Sequence, residues 1–372
     1  MTAEAKHIAS KPAAPWARAL ADLAVPVLSV FTALAIGAII IWASKANVIL
    51  AYKGLLQGAF GNLRNLSETL VIATPYILSG LAVTLGFRCG LFNIGVEGQF
   101  YMGALASVFV GYSIKGLPIY VHLPLALAAG AVGGALWGAV PGFLKARIGT
   151  NEVLNSIMMN YIAVKTVDYL VKNPMRDKVS TIPRTPVVLP SATLPPLLPG
   201  LRLHAGLLIA LVAIVFVYWF LWKTTLGFEI RTVGANPDAA KYAGMSVTRR
   251  FVLAMVLSGA LAGLAGTGEV LGTNHNLPAA FISGYGFDSI AISLLAKSHP
   301  FGILPAAVLW AALRNGAGLM QVRAGISIDL INIVQALVII FIAADEIIRW
   351  LYRIRKSKEE IREVVFTRGW GR

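Results

Sequence analysis

Ten long apolar runs, separated by short polar or charged stretches, constrain this chain more than any other feature of it. Leu23–Ala43 carries no charged residue and is long enough as a helix to cross about 30 Å of hydrocarbon. Comparable runs follow at 66–86, 92–114, 120–143, 151–171, 205–222, 251–271, 301–321 and 327–348. A shorter one at 286–297 cannot cross unaided, so it reads as a half-helix or as a segment shielded by its neighbours. Backbone polar groups in lipid must be satisfied internally, which leaves helices or a closed barrel. Runs of this length predict an all-α polytopic membrane protein with about ten transmembrane helices.

Composition agrees. The chain is 57% hydrophobic and 13% charged, where soluble domains carry about 25% charged residues. Its net charge of +15 does not indicate nucleic acid, because the basic residues sit at the ends of apolar runs rather than on one polar domain. The single cysteine, Cys89, excludes an internal disulfide and any cysteine-based metal cluster. The five histidines are scattered without ligand spacing. Neither a P-loop nor a nucleophile elbow is present, so no catalytic residue, metal site or chain-bound cofactor is expected.

The predicted organisation has three parts. A cytoplasmic segment, 1–22, lacks the pattern of a cleavable signal. A membrane domain covers 23–348, and a basic cytoplasmic tail covers 349–372. Basic residues flanking the first span and filling the tail place both termini in the cytoplasm, with the chain multi-pass in the cytoplasmic membrane. Lys172, Arg176, Lys178, Arg184 and Arg202 oppose that rule, because the loop 172–204 then lies outside. Seven prolines make this loop an extended strap, as readily a linker between two halves as a docking surface. Five spans on either side of it suggest an inverted repeat, with Gly90–Asn93 opening a span on the inner side and Gly284–Asp288 opening the short span on the outer side.

Three polar stretches interrupt the apolar pattern. In Thr225–Val247, Asn236 and Pro237 have the character of a helix start, and a short Ala-rich helix ends at Gly244. In Gly90–Met102, Asn93 and Glu97 share a helix face, with Gln99 close by. A carboxylate there needs a partner or water. An Arg88–Glu97 clamp and the polar wall of a translocation path are both consistent with it. In Thr150–Tyr161, Asn155 and Asn160 point to a path or to a helix–helix contact, since amides facing lipid would be unsatisfied. Asp288, on the short span, joins the candidate set. Gly130, Gly134, Gly138 and Gly142, with Gly259 and Gly263, form flat faces for close helix packing.

The stretches GLFNIGVEGQFYMGALAS (90–107), GTNEVLNSIMMNYIA (149–163), TTLGFEIRTVGANPDAAKYAGMSV (224–247) and GYGFDSIAISLLAKSHPFG (284–302) carry a family likeness. The chain resembles permease subunits of bacterial ABC importers in the ribose and branched-chain amino-acid permease branch. The first two stretches look most like nucleoside-uptake permeases. The resemblance implies an ATP-driven importer moving nucleosides, or a simple sugar such as ribose, with ATP bound by a partner ATPase. It also implies a second permease subunit, often a different protein, and an extracytoplasmic substrate-binding lipoprotein, with lipid around the spans. Residues 223–250 then form a cytoplasmic coupling segment in which Asn236, Pro237, Ala239, Ala240 and Gly244 meet the ATPase. Phe92, Asn93, Glu97, Gln99, Asn155, Asn160 and Asp288 are the candidates for the translocation path. An ion-coupled secondary transporter is the alternative, with Glu97 or Asp288 as relay.

Overall fold

The computed structural model describes residues 15–279, 281, 284–327, 329–343 and 351–352. The terminal segments expected at 1–22 and 349–372 lie largely outside that range. Helices carry the fold: α1 (Pro15–Ala43), α2 (Val48–Phe60), α3 (Leu63–Arg88), α4 (Val96–Ser113), α5 (Ile119–Ile148), α6 (Glu152–Lys172) and α7 (Gly206–Lys223). There follow α8 (Thr225–Ala235), α9 (Pro237–Tyr242), α10 (Val247–Gly268), α11 (Tyr285–Leu295), α12 (Pro300–Ala324) and α13 (Asp329–Ala343). Among the described residues no strand forms, only two isolated bridges in the strap. The chain is an all-α polytopic membrane protein.

Among the described residues, six helices (α1, α3, α5, α7, α10 and α12) are long and apolar enough to cross a membrane. The remaining expected spans are shorter or more polar. Residues 92–95 precede α4 instead of opening it, and α6 carries Glu152, Lys165, Asp168 and Lys172. α8 was not anticipated: TLGFEIRTVGA is helical, started by Thr224, whose hydroxyl accepts the Gly227 N–H at 3.1 Å. Four polar residues (Thr225, Glu229, Arg231 and Thr232) among its apolar ones hid its 3.6-residue period.

The glycine faces pack as their spacing suggested. α5 and α10 approach so closely that a Cβ on Gly134 would lie 2.2 Å from the Gly259 carbonyl oxygen, and one on Gly263 would lie 2.2 Å from that of Gly130. α4 joins them at Gly103, where a Cβ would fall 2.2 Å from the Gly263 Cα. In lipid the hydrophobic effect does not drive helices together, so backbone-to-backbone packing of this kind holds the centre.

α3 fixes the two ends of the molecule. Near its start Glu68 pairs with Arg202 of the strap at 3.1 Å, and its last residues meet α8. The strap is a folded cap rather than a free linker. Thr185 and Val188 donate backbone N–H groups to Leu277 and His275, Leu194 donates to Leu271, and Leu189 donates to Gly111 at the end of α4. Val188, Ala192, Leu194 and Leu203 of the strap are buried. One turn below, residues 269–274 form a π-helix that continues α10.

Candidate functional site: a half-helix held by one carboxylate

α11 is the short helix anticipated from sequence. Its 11 residues span about 16 Å, roughly half the hydrocarbon thickness. Its start meets the start of α4, whereas sequence symmetry placed the two on opposite sides. Glu97 in the first turn of α4 accepts the backbone N–H of Gly284 at 2.9 Å and that of Gly286 at 2.7 Å. The starts of α4 and α11 therefore meet, and they cannot lie on opposite sides of a bilayer. A Cβ on Gly286 would stand 2.3 Å from the Glu97 nitrogen, so this junction admits no side chain. Gly284 itself has φ +66°, which glycine adopts without strain.

The far end of α11 is tied to the end of α3. Arg88 donates from Nε to the Ser298 carbonyl at 2.8 Å and from Nη2 to that of Lys297 at 3.2 Å. Arg88 and Glu97 thus serve opposite ends of one half-helix. The buried carboxylate sits at the partial positive ends of two helices, which is how such a charge is accommodated inside a membrane protein.

The sequence-predicted polar residues fall into two groups. Asn93, Glu97, Gln99 and Asn160 are buried. Asn93 Nδ2 donates to Ser258 Oγ at 2.9 Å and to Gln99 Oε1 at 3.1 Å, and Ser258 donates onward to the Ala82 carbonyl. Asn160 Nδ2 donates to the Ile94 carbonyl at 3.0 Å, while its Oδ1 accepts the Gly98 N–H at 2.7 Å. In this arrangement the four knit α3, α4, α6, α10 and α11 together around residues 90–98. Phe92, Asn155 and Asp288 are partly exposed. Asn155 donates to Thr150 Oγ1, and Phe92 packs on Phe87 with ring centroids 5.1 Å apart.

Asp288 leads to residues that sequence reading missed. Its Oδ2 accepts from the Tyr76 hydroxyl at 2.6 Å and lies 3.4 Å from Arg314 Nη1. The guanidinium of Arg314 stands over the rings of Tyr76 and Tyr285, at 5.9 and 5.2 Å from their centroids. The signal was present, since Arg314 is a charge in the middle of the 25-residue helix α12. Its partners are remote in sequence, so no local motif marks it.

At the other end, α9 projects from the bundle. Asn236 caps it, its Oδ1 accepting the Ala239 N–H at 3.0 Å. Asp238, Ala239, Lys241, Ala243 and Gly244 are exposed, and Tyr242 is 95% exposed. Ala240 corrects the sequence expectation. It is fully buried within the chain's own core, because it faces back toward the bundle, and it has no surface to offer a partner. Behind α9, a Cβ on Gly234 of α8 would lie 2.2 Å from the Arg88 carbonyl oxygen. Glu229 of α8 is ion-paired with Arg250 of α10. α8 is thus seated against the turn that leads from α3 to Asn93 and Glu97.

Together these features define a multi-pass membrane protein whose half-helix starts against α4, and whose α8, leading into the exposed α9, abuts the turn that enters this junction. The family model of the permease component of branched-chain amino acid transport systems matches residues 65–343, and the chain belongs to this family. It is 43% identical to the guanosine ABC transporter permease protein NupP of Bacillus subtilis, over 91% of this chain and 98% of the relative. The nucleoside ABC transporter permease protein NupB of Lactococcus lactis is 37% identical over 87% and 91% of the two chains. The glucose ABC transporter permease protein TsgB13 of Haloferax volcanii is 38% identical over 88% and 89%. No solved structure matches. The chain is an ABC transporter permease subunit.

Proposed function

We propose that this permease serves an ATP-driven importer of nucleosides. Two of the three relatives above are named for guanosine or nucleosides, and both align along nearly their whole length. Sugar is the second reading, favoured by the glucose permease relative. In the proposed topology both termini and α8–α9 are cytoplasmic and the strap is external, so that residues 223–250 couple to a separate ATPase. A binding lipoprotein meets the strap end. The second permease is a different chain: NupQ of Bacillus subtilis, also named a guanosine ABC transporter permease, is 30% identical to this one.

The observation that carries the mechanism is the contact path from α9 to α11. A push on the exposed α9 passes through Gly234 to the Arg88–Gly90 turn, then to Asn93 and Glu97, and so to both starts at the α4–α11 junction. Neither Glu97 nor Asp288 suits an ion relay, since the first holds two backbone N–H groups and the second pairs with Arg314. The test is uptake of labelled nucleosides into vesicles containing the complete complex. Accumulation that requires enclosed ATP supports the reading, and sustained accumulation in energised vesicles without ATP overturns it.

A further inference from the structure

Arg314 has an unused edge. Both of its hydrogen-bonding contacts, to the Tyr76 hydroxyl and to Asp288 Oδ2, are made by Nη1. Among the described residues Nε and Nη2 make none. These two atoms form the side of a guanidinium that presents parallel N–H groups to one planar acceptor pair. The side chain is 44% exposed although it lies mid-way along a membrane-crossing helix. A charge at that depth faces water or protein, not lipid, so the open edge looks onto an aqueous route or the neighbouring permease. Tyr76 is fully buried and Asp288 is tied to it, so the fork is fixed in place and rests over the Tyr285 ring.

We infer that Arg314 is a specificity-determining residue that favours 6-oxopurine nucleosides on their way through the membrane. The inference rests on the nucleoside reading above. A two-donor fork matches the O6 and N7 acceptors of a 6-oxopurine. Adenine offers N7 beside an N6 amino donor, so it does not satisfy both donors. Asp288 supports the fork by neutralising it and holding its Nη1 side away from the route.

The experiment compares inosine, adenosine and ribose uptake by the complete complex in proteoliposomes, normalised to permease content. Wild type, Arg314→Lys and Arg314→Gln are tested with the same binding protein, so a change in ratio belongs to the permease. Wild type should prefer inosine to adenosine. Lysine keeps the charge for Asp288 but loses the fork, and the inosine-to-adenosine ratio should fall about tenfold, the worth of one bidentate base contact. Glutamine pairs with adenine N6 and N7 and should move the ratio further toward adenosine. An equal loss for both nucleosides, or an unchanged ratio, overturns the inference. A wild type that moves nucleosides without discrimination also overturns it, while leaving the nucleoside reading intact. Transport of ribose alone removes the nucleoside reading itself. Arg314→Lys keeps the test decisive if Arg314→Gln fails to reach the membrane.

Discussion

Glu97 concentrates more of the structure's logic than any other side chain. It replaces the missing first hydrogen bonds of α11 with two of its own, and it does so from the first turn of another helix. Glu97→Gln keeps the size but turns one of the two oxygens into a donor facing an N–H group. The cost of one such mismatch is about 1–3 kcal/mol, here with a charge-assisted bond lost as well. The variant should melt at a lower temperature in detergent and lose ATP-dependent uptake. An unchanged melting temperature would mean that the junction does not depend on this carboxylate. Sequence placed Glu97 among the functional candidates because a carboxylate at a span entrance demands an explanation. Its partners were beyond reach, since Gly284 and Gly286 lie far along the chain and offer only backbone atoms, which no residue pattern encodes. Ala240 failed for a related reason. Ala-rich helices have no strong apolar side, so spacing cannot tell which alanine faces inward.

Helix α9 now divides into a buried and an exposed face, and two substitutions separate them. Ala240→Glu forces a charge into a closed core position, so it should remove the permease from the membrane rather than merely uncouple it. Tyr242→Ala leaves the fold untouched, because that ring is almost wholly exposed, and it should abolish stimulation of the partner ATPase at normal permease levels. Quantitative blotting beside ATPase activity distinguishes the two outcomes. The strap supplies a pH-dependent prediction. His204 is buried beside Thr273, its Nδ1 accepts the Gly206 N–H, and burial, with His275 and Arg202 adding to it, lowers its pKa to about 4. The usual value is about 6.5, so an opened strap binds a proton that the closed one refuses. The stability contributed by neutral His204 is complete above pH 6.5 and is lost progressively toward pH 4. Protection factors for amide exchange at Val188 and Leu194, referred to the intrinsic rate at each pH, should fall as pH drops through that window, and His204→Gln should flatten the response. The helices themselves were legible because apolar length is a strong signal. The strap's folding was not, since seven prolines read as a linker and many of the hydrogen bonds that seat it run from backbone to backbone.

Viewed along α3, the molecule has a capped end and an end from which α9 projects, and orientation in the membrane is the property on which the proposed coupling depends. Basic residues gave a divided answer, with the strap's lysines and arginines opposing the tail. The fold places three of those charges beside acidic partners. Arg202 is paired with Glu68, Arg184 lies 3.9 Å from Asp177, and Lys172 pairs with Asp168. Such pairing does not remove the conflict, because the rule counts lysine and arginine in short loops and gives acidic residues little weight. The native chain also provides a clean background for measurement, because its one cysteine, Cys89, is buried. Val179 in the strap is 93% exposed and Tyr242 in α9 is 95% exposed, so each accepts cysteine without disturbing packing. A membrane-impermeant maleimide applied to intact cells should label Val179→Cys and spare Tyr242→Cys, with the pattern reversed in inside-out vesicles. The wild type should stay unlabelled in both. Labelling of Tyr242→Cys from outside would put α9 out of reach of a cytoplasmic ATPase, and the coupling path through Gly234 would then have no driver.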